Sequence, residues 1–125
     1  MRRAGLDYWH QVNLQTHSSW DDFKLKTTEN NSKNRILLFT KYGENAYSEF
    51  KYKQDDILVF GRETSGLPSS IITDVATHHP ERILRIPVNS ACRSLNLANA
   101  VAIVVYEALR QLDFPGVAMQ FDQNQ

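Results

Sequence analysis

Two stretches of the chain place polar residues where α/β proteins bind ligands. The first, residues 60–68 (F-G-R-E-T-S-G-L-P), lies between a predicted strand and a predicted helix. Such loops gather at the carboxyl ends of strands, where open α/β sheets bind their ligands. Gly61 lets the backbone approach a ligand closely, and Glu63 supplies a carboxylate that can accept a hydrogen bond. An ordinary strand-to-helix turn is the alternative interpretation.

The second stretch, residues 92–100 (C-R-S-L-N-L-A-N-A), opens the most strongly predicted helix. Ser94 suits a helix N-cap, and the free N–H groups of a helix start suit an anionic group. Asn96 and Asn99 place two amides, which are poor helix formers, at the mouth of an otherwise apolar helix. The pattern indicates either a polar site or capping with surface amides. Tyr106, the only phenol in this helix, is a catalytic candidate, with core packing as the alternative.

Strand and helix signals alternate along the chain, which predicts an α/β fold. Two apolar runs bounded by polar turns, at 35–40 and 56–61, indicate strands buried on both faces. A third strand is predicted at 82–87 and is stopped by Pro87. Residues 11–15 alternate and predict a further short strand. A helix begins near Ser19, its expected N-cap, and another runs over 68–77.

The last helix is predicted over 94–112 and is apolar on every side between Ala100 and Tyr106. A helix of this kind must be buried on every side. A domain of 125 residues rarely surrounds a helix completely, so the remaining face indicates a subunit interface. A central core helix is the alternative. Phe114-Pro115-Gly116 should end the helix.

The composition is that of a single globular domain without a membrane span or a metal cluster. Fourteen basic residues balance 14 acidic ones, so any RNA footprint must be local or built from more than one subunit. The lone Cys92 excludes an internal disulfide and indicates a reducing, cytoplasmic setting. No apolar run approaches the roughly 18 residues of a membrane span. The histidines have no spaced cysteine or carboxylate partners, so no metal site is expected.

Three motifs, taken together in their order along the chain, resemble those of the SPOUT-class RNA ribose 2′-O-methyltransferases. They are G-R-E-T-S-G-L-P after a strand, a strand ending R-I-P, and then S-L-N-L-A-N-A-V-A-I-V-V-Y-E-A. The opening R-R-A-G-L-D-Y-W and the ending Y-E-A-L-R-Q-L-D-F-P-G resemble the members that methylate the wobble nucleotide of tRNA. The likeness runs from Arg2 to about Val117.

The resemblance implies a single SPOUT domain over residues 1–125, with a parallel sheet, flanking helices and a C-terminal deep trefoil knot, an exception to the rule that chains stay unknotted. It implies S-adenosyl-L-methionine as cofactor, the tRNA anticodon loop as partner, and a homodimer. The implied cofactor-binding residues are Phe39, Gly61, Ile86 and Ser94. The implied catalytic residues are Glu63, Ser94, Asn96 and Tyr106. RNA contacts are expected among Arg2, Arg3, Lys41, Arg62 and Arg93, with solvated surface charge as the alternative for each.

One part of the family pattern is not found in the sequence. The family's first motif is an N-terminal strand followed by an asparagine-glycine-asparagine-arginine helix. We therefore expect an N-terminally truncated domain that is unstable or inactive alone. The alternatives to wobble methylation are another tRNA or rRNA ribose methyltransferase, an inactive SPOUT remnant that binds without turnover, and a flavodoxin-like nucleotide-binding module.

Overall fold

The structure is a computed structural model that describes residues 13–29, 32–88 and 96–115. Four parallel strands form one sheet, in the order β2-β4-β1-β3. The strands are β1 (Ile36–Phe39), β2 (Asn45–Ala46), β3 (Ile57–Phe60) and β4 (Ile83–Arg85). The helices are α1 (Trp20–Lys24), continued by a π-helical turn at Leu25–Glu29, α2 (Ser69–His78) and α3 (Leu97–Gln111). Short 3-10 turns lie at Tyr47–Glu49 and Pro80–Arg82. The predicted α/β fold class is confirmed.

Strand β1 is the centre of the sheet. It pairs with β3 on one side and β4 on the other, and all four of its residues are buried. This confirms the continuous apolar run as a doubly covered strand. Strand β3 is only half-buried along its whole length, because among the described residues β1 is its single neighbour. The expectation of complete burial for 56–61 is therefore wrong, since an apolar run cannot distinguish an edge strand from a central one.

The two faces of the sheet carry separate apolar clusters. On one face the buried residues are Ile36, Leu38, Val75 and Ile83, covered by α1 and α2. On the other face they are Leu37, Phe39, Tyr52, Leu84 and Val104, and α3 supplies Val104 and Ala108. The alternation along β1 assigns its side chains to opposite faces, as a pleated strand requires. The molecule is thus a sheet with helices on both faces.

Helix α1 begins as the sequence predicts. The backbone N–H of Asp22 donates to Ser19 Oγ at 3.0 Å, which makes Ser19 the N-cap. The rings of Trp20 and Phe23 stack with centroids 5.4 Å apart, so they share a face. The predicted strand at 11–15 is wrong for its described part, because residues 13–15 have no regular structure and Leu14 is 69% exposed.

Helix α3 begins at Leu97, and its N-cap is Asn96. Sequence analysis placed the N-cap at Ser94, which lies outside the described residues. That N-cap prediction is wrong. The backbone is still extended at Asn96, with φ −56° and ψ 140°, and asparagine is as good an N-cap residue as serine. The helix ends at Gln111, and Asp113 and Phe114 follow with positive φ.

The burial of α3 is one-sided. Val104 is fully buried, but Ala98, Ala102 and Tyr106 are exposed on the side away from the sheet. The expectation that the helix is covered on every side is wrong for this chain, and one apolar face stays open. None of the helices in the described ranges has the length and apolarity needed to cross a bilayer. The C-terminal knot that the family resemblance implies is not tested by the described residues, and it stays a prediction.

Candidate functional site

A cavity of about 420 Å³ lies at the carboxyl ends of the strands. Four segments line it: the turn after β1, the loop from β3 to α2, the segment after β4 and the first turn of α3. The lining residues are Phe39–Tyr42, Phe60–Leu67, Arg85, Ile86, Val88, Leu97 and Ala100. All four segments meet here because parallel strands end at the same sheet edge, which is where α/β folds bind ligands.

The loop after β3 is tightly folded back on itself. Arg62 and Gly66 exchange backbone hydrogen bonds of 3.3 and 2.8 Å. A Cβ on Gly61 would lie 2.2 Å from Gly66 C and Leu67 N, so no side chain fits at Gly61. Gly66 has φ +70°, a region that favours glycine. The two glycines therefore shape the loop that forms one wall of the cavity.

Glu63 and Asn96 join this loop to the mouth of α3. Asn96 Nδ2 donates to Glu63 Oε2 at 3.2 Å. The Oδ1 atom of the same amide accepts from the backbone N–H groups of Ala98 and Asn99, at 2.8 and 3.4 Å. One amide thus caps the helix and holds the loop. The two stretches singled out in the sequence converge on one cavity, although they are more than thirty residues apart.

The cavity wall is apolar and the rim is charged. Phe39 and Phe60 are paired in the sheet register and stack with ring centroids 4.9 Å apart and an interplanar angle of 12°. With Ile86 they offer flat, apolar surface for a heteroaromatic ring. Among the described residues, the cations Lys41, Arg62 and Arg85 line the cavity against the single carboxylate of Glu63. The chain as a whole is neutral, so positive charge is concentrated at this cavity.

Comparison with known proteins agrees with this geometry. The model of the SpoU rRNA Methylase family matches residues 1–106. The chain belongs to the SpoU methylase family. The tRNA (cytidine(34)-2′-O)-methyltransferase of Escherichia coli is 40% identical over 120 residues, which cover 96% of this chain and 72% of that protein. The Yersinia pestis protein of the same name is 39% identical over 124 residues, covering 96% of this chain and 73% of its own length.

Solved structures show the same fold. One, described as giving structural insights into the 2-OH methylation of C/U34 on tRNA, aligns with TM-score 0.75 and 38% identity, covering 90% of this chain and 68% of that one. An AdoMet-bound rRNA methyltransferase from Sinorhizobium meliloti aligns with TM-score 0.52 and 28% identity, covering 68% of this chain and 33% of that one. The sheet described above is thus a SpoU methylase sheet.

The structure brings together most of the site residues that the SpoU resemblance implied. Phe39, Gly61, Ile86 and Glu63 line the cavity, and Asn96 bonds to Glu63 at its edge. Ser94 lies outside the described residues. Tyr106 is 64% exposed and does not line the cavity, so the alternative that it packs in the core is wrong. The residue lies on the open face of α3, which no local pattern distinguishes from the packed face.

Sequence reasoning missed Phe60, Arg85 and Tyr42 as lining residues. Phe60 and Arg85 each lie at the end of a predicted strand. That position at the carboxyl edge of the sheet could have identified them as lining residues. Their nearness to Phe39 depends on strand order and register, which the sequence does not state. Within the described ranges, no group of His, Cys, Asp and Glu residues is arranged to hold a metal ion.

Proposed function

We propose that this SpoU methylase uses S-adenosylmethionine to methylate the ribose 2′-hydroxyl of the wobble nucleotide of tRNA. The observation that carries the proposal is the contact of Glu63 with Asn96, which closes the β3–α2 loop onto the mouth of α3 beside a cavity. Relatives about 40% identical over nearly the whole chain are named for this reaction. A tRNA substrate and a single cysteine both fit the cytoplasm.

The described residues of the cavity fit the cofactor. The stacked pair of Phe39 and Phe60, with Ile86, suits the adenine ring. The bare backbone at Gly61 allows close approach without a side chain in the way. The cations of the rim suit the carboxylate of the methionine portion and the phosphates of RNA. When bound, the cofactor supplies an activated methyl group.

The main contribution of the protein to catalysis is to align the ribose hydroxyl with that methyl group. Holding reacting groups in line contributes several kcal/mol to lowering a barrier. Glu63 and Asn96 act here as positioning residues, because their hydrogen bond fixes the loop relative to α3. Ser94, just before the mouth of α3, remains a candidate for contact with the substrate, as the family resemblance implies. Tyr106 lies away from the cavity of its own chain.

A homodimer is part of the proposal. The open face of α3 presents Ala98, Ala102 and Tyr106, which are exposed although two are small apolar residues and the third is aromatic. Small residues allow two helices to approach closely, and aromatic residues are enriched at interfaces. A second copy of the chain covering this face would also extend the cationic rim, which one neutral chain provides only locally.

A methyl-transfer assay with tRNA that lacks the wobble methyl group tests the function. We expect transfer to this tRNA and none to a matched tRNA with a 2′-deoxy wobble nucleotide. Transfer to both would show that another ribose is the target, as would transfer only to rRNA. Cofactor binding without any transfer would favour the inactive remnant and would contradict the proposal.

Gly61→Ala tests the site. The new Cβ has no room beside Gly66 and Leu67, so the loop must move and cofactor affinity should fall by about tenfold or more. Thr77→Ala is the control, because Thr77 is an exposed residue of α2 that does not line the cavity. Titration of the cofactor by calorimetry measures both. Unchanged cofactor affinity in Gly61→Ala would show that the cofactor does not bind in this cavity.

A further inference from the structure

Tyr42 is an exposed aromatic residue at the rim of the cavity. It is 68% exposed, and it lines the cavity in the turn that follows β1. Single exposed apolar residues are common on protein surfaces and need no explanation. Tyr42 differs because its exposed ring stands at the rim of the candidate active site, where a substrate must enter.

The turn that carries Tyr42 is held rigidly. The N–H of Thr40 donates to Leu84 O at 2.9 Å, and the N–H of Gly43 donates to Thr40 O at 3.1 Å. The N–H of Tyr42 itself donates to Thr40 Oγ1 at 3.3 Å. Gly43 is buried so closely against β4 that a Cβ there would lie 2.4 Å from Leu84 C. A turn tied to the sheet in this way presents its ring at a fixed place, which lowers the entropy cost of binding.

One cation lies over the ring, and two more line the same cavity. Lys41 Nζ lies 5.3 Å from the centroid of the Tyr42 ring, and Arg62 and Arg85 line the same cavity. An exposed aromatic face beside clustered cations is the arrangement by which proteins hold single-stranded nucleic acid, with the base on the ring and the phosphates on the cations.

We propose that Tyr42 is a stacking platform for an unpaired RNA base next to the nucleotide whose ribose is methylated, with Lys41 contacting the adjoining phosphate. This inference rests on the proposed function, because it assigns the rim of the same cavity to the RNA substrate. The base stacks on the ring face that Lys41 does not cover. Any of the four bases can stack on the ring, so Tyr42 contributes affinity and position rather than sequence choice.

The test is direct binding of the full chain to a single-stranded RNA of anticodon-loop sequence that carries one 2-aminopurine, read by fluorescence. Tyr42→Ala should raise the Kd for this RNA by about fivefold or more and abolish the quenching that stacking produces. Tyr42→Phe should stay near wild type because it keeps the ring. Tyr42→Leu should resemble Tyr42→Ala, because it removes the aromatic ring and keeps an apolar side chain.

Leu25→Ala is the control for an exposed apolar residue away from the cavity, since Leu25 is 50% exposed and does not line it. Equal RNA affinity in Tyr42→Ala and wild type would contradict the proposal that Tyr42 stacks on an RNA base. So would a change in oligomeric state in Tyr42→Ala, which would show that the ring packs against protein, or a wild-type chain that binds no RNA. Wild-type protein that quenches the probe through Tyr42 but transfers no methyl group would overturn the proposed function alone.

Discussion

Asn96 shows how much one side chain contributes to this site. Its Oδ1 satisfies two free N–H groups at the start of α3, while its Nδ2 holds Glu63 of the opposite loop. Both halves of the amide are therefore used, and no other residue type offers an acceptor and a donor in this geometry at this length. Capping and closure of the cavity are coupled through a single amino acid.

Asn96→Ser should separate the two roles. Serine keeps an oxygen for the helix cap but has no group that reaches Glu63. We expect a free energy of unfolding within about 0.5 kcal/mol of wild type, whereas Asn96→Ala should lose about 1 kcal/mol. Urea denaturation measures this difference. Both variants should bind cofactor more weakly, as should Glu63→Ala, while Glu63→Gln keeps an acceptor oxygen and should not. Wild-type cofactor affinity in Asn96→Ser would argue that the contact with Glu63 has no part in the site.

The starts of β1 and β3 are joined by the most completely buried ion pair in the described chain. Arg35 Nε and Nη2 donate to the two carboxylate oxygens of Asp56, each at 2.7 Å, and the side chains are 19% and 3% exposed. The bond to Asp56 raises the pKa of Arg35 above its ordinary value. Arg35 also donates to Lys51 O, and its carbonyl accepts from the N–H of Ile57. This pair sets the alignment of the two strands whose far ends carry Phe39 and Phe60.

Asp56→Ala should lower the free energy of unfolding by about 3 kcal/mol, because it leaves the Arg35 guanidinium without its partner in a mostly buried place. Chemical denaturation followed by circular dichroism measures the loss. Arg110→Ala is the matched control, since the pair of Arg110 with Glu107 lies on the surface and its removal should have no measurable effect. Equal stability of Asp56→Ala and wild type would mean that strand alignment does not depend on the pair.

As a whole, the molecule combines a neutral net charge, a locally cationic cavity and an open helix face. The described part of α3 covers the sheet with Val104 and Ala108 and leaves Ala98, Ala102 and Tyr106 outside. RNA binding by a neutral chain depends on where charge is concentrated.

Ala102→Arg should convert a dimer to a monomer, because it places an unpaired charge at the centre of the open face of α3. Light scattering coupled to size exclusion should give the mass of one 14.4 kDa chain for this variant and twice that mass for the wild type. Thr77→Arg adds the same charge at an exposed position on α2 and should remain dimeric. A monomeric wild type, or a dimeric Ala102→Arg, would rule out this interface.

Sequence alone predicted β1, β3, β4 and the three helices in their order, but it missed the two-residue β2 and predicted a strand at 11–15 that residues 13–15 do not form. The apolar runs of β1 and β4, the N-cap at Ser19 and the stripe of α3 are local signals, and each residue of such a pattern acts through neighbours a few positions away. The glycine-bordered loop and the polar helix mouth were likewise visible as separate stretches, and the family motifs implied that they meet. These parts of the site were predictable because backbone conformation is governed largely by nearby residues.

Packing over long distances settled the rest. Strand order made β3 an edge and set Phe60 beside Phe39. Helix α3 begins at Leu97, so its N-cap is Asn96 rather than Ser94, and its packing on the sheet leaves Tyr106 exposed. Each of these outcomes depends on which segments cover which surface, a property of contacts between residues far apart in the chain that no local pattern encodes.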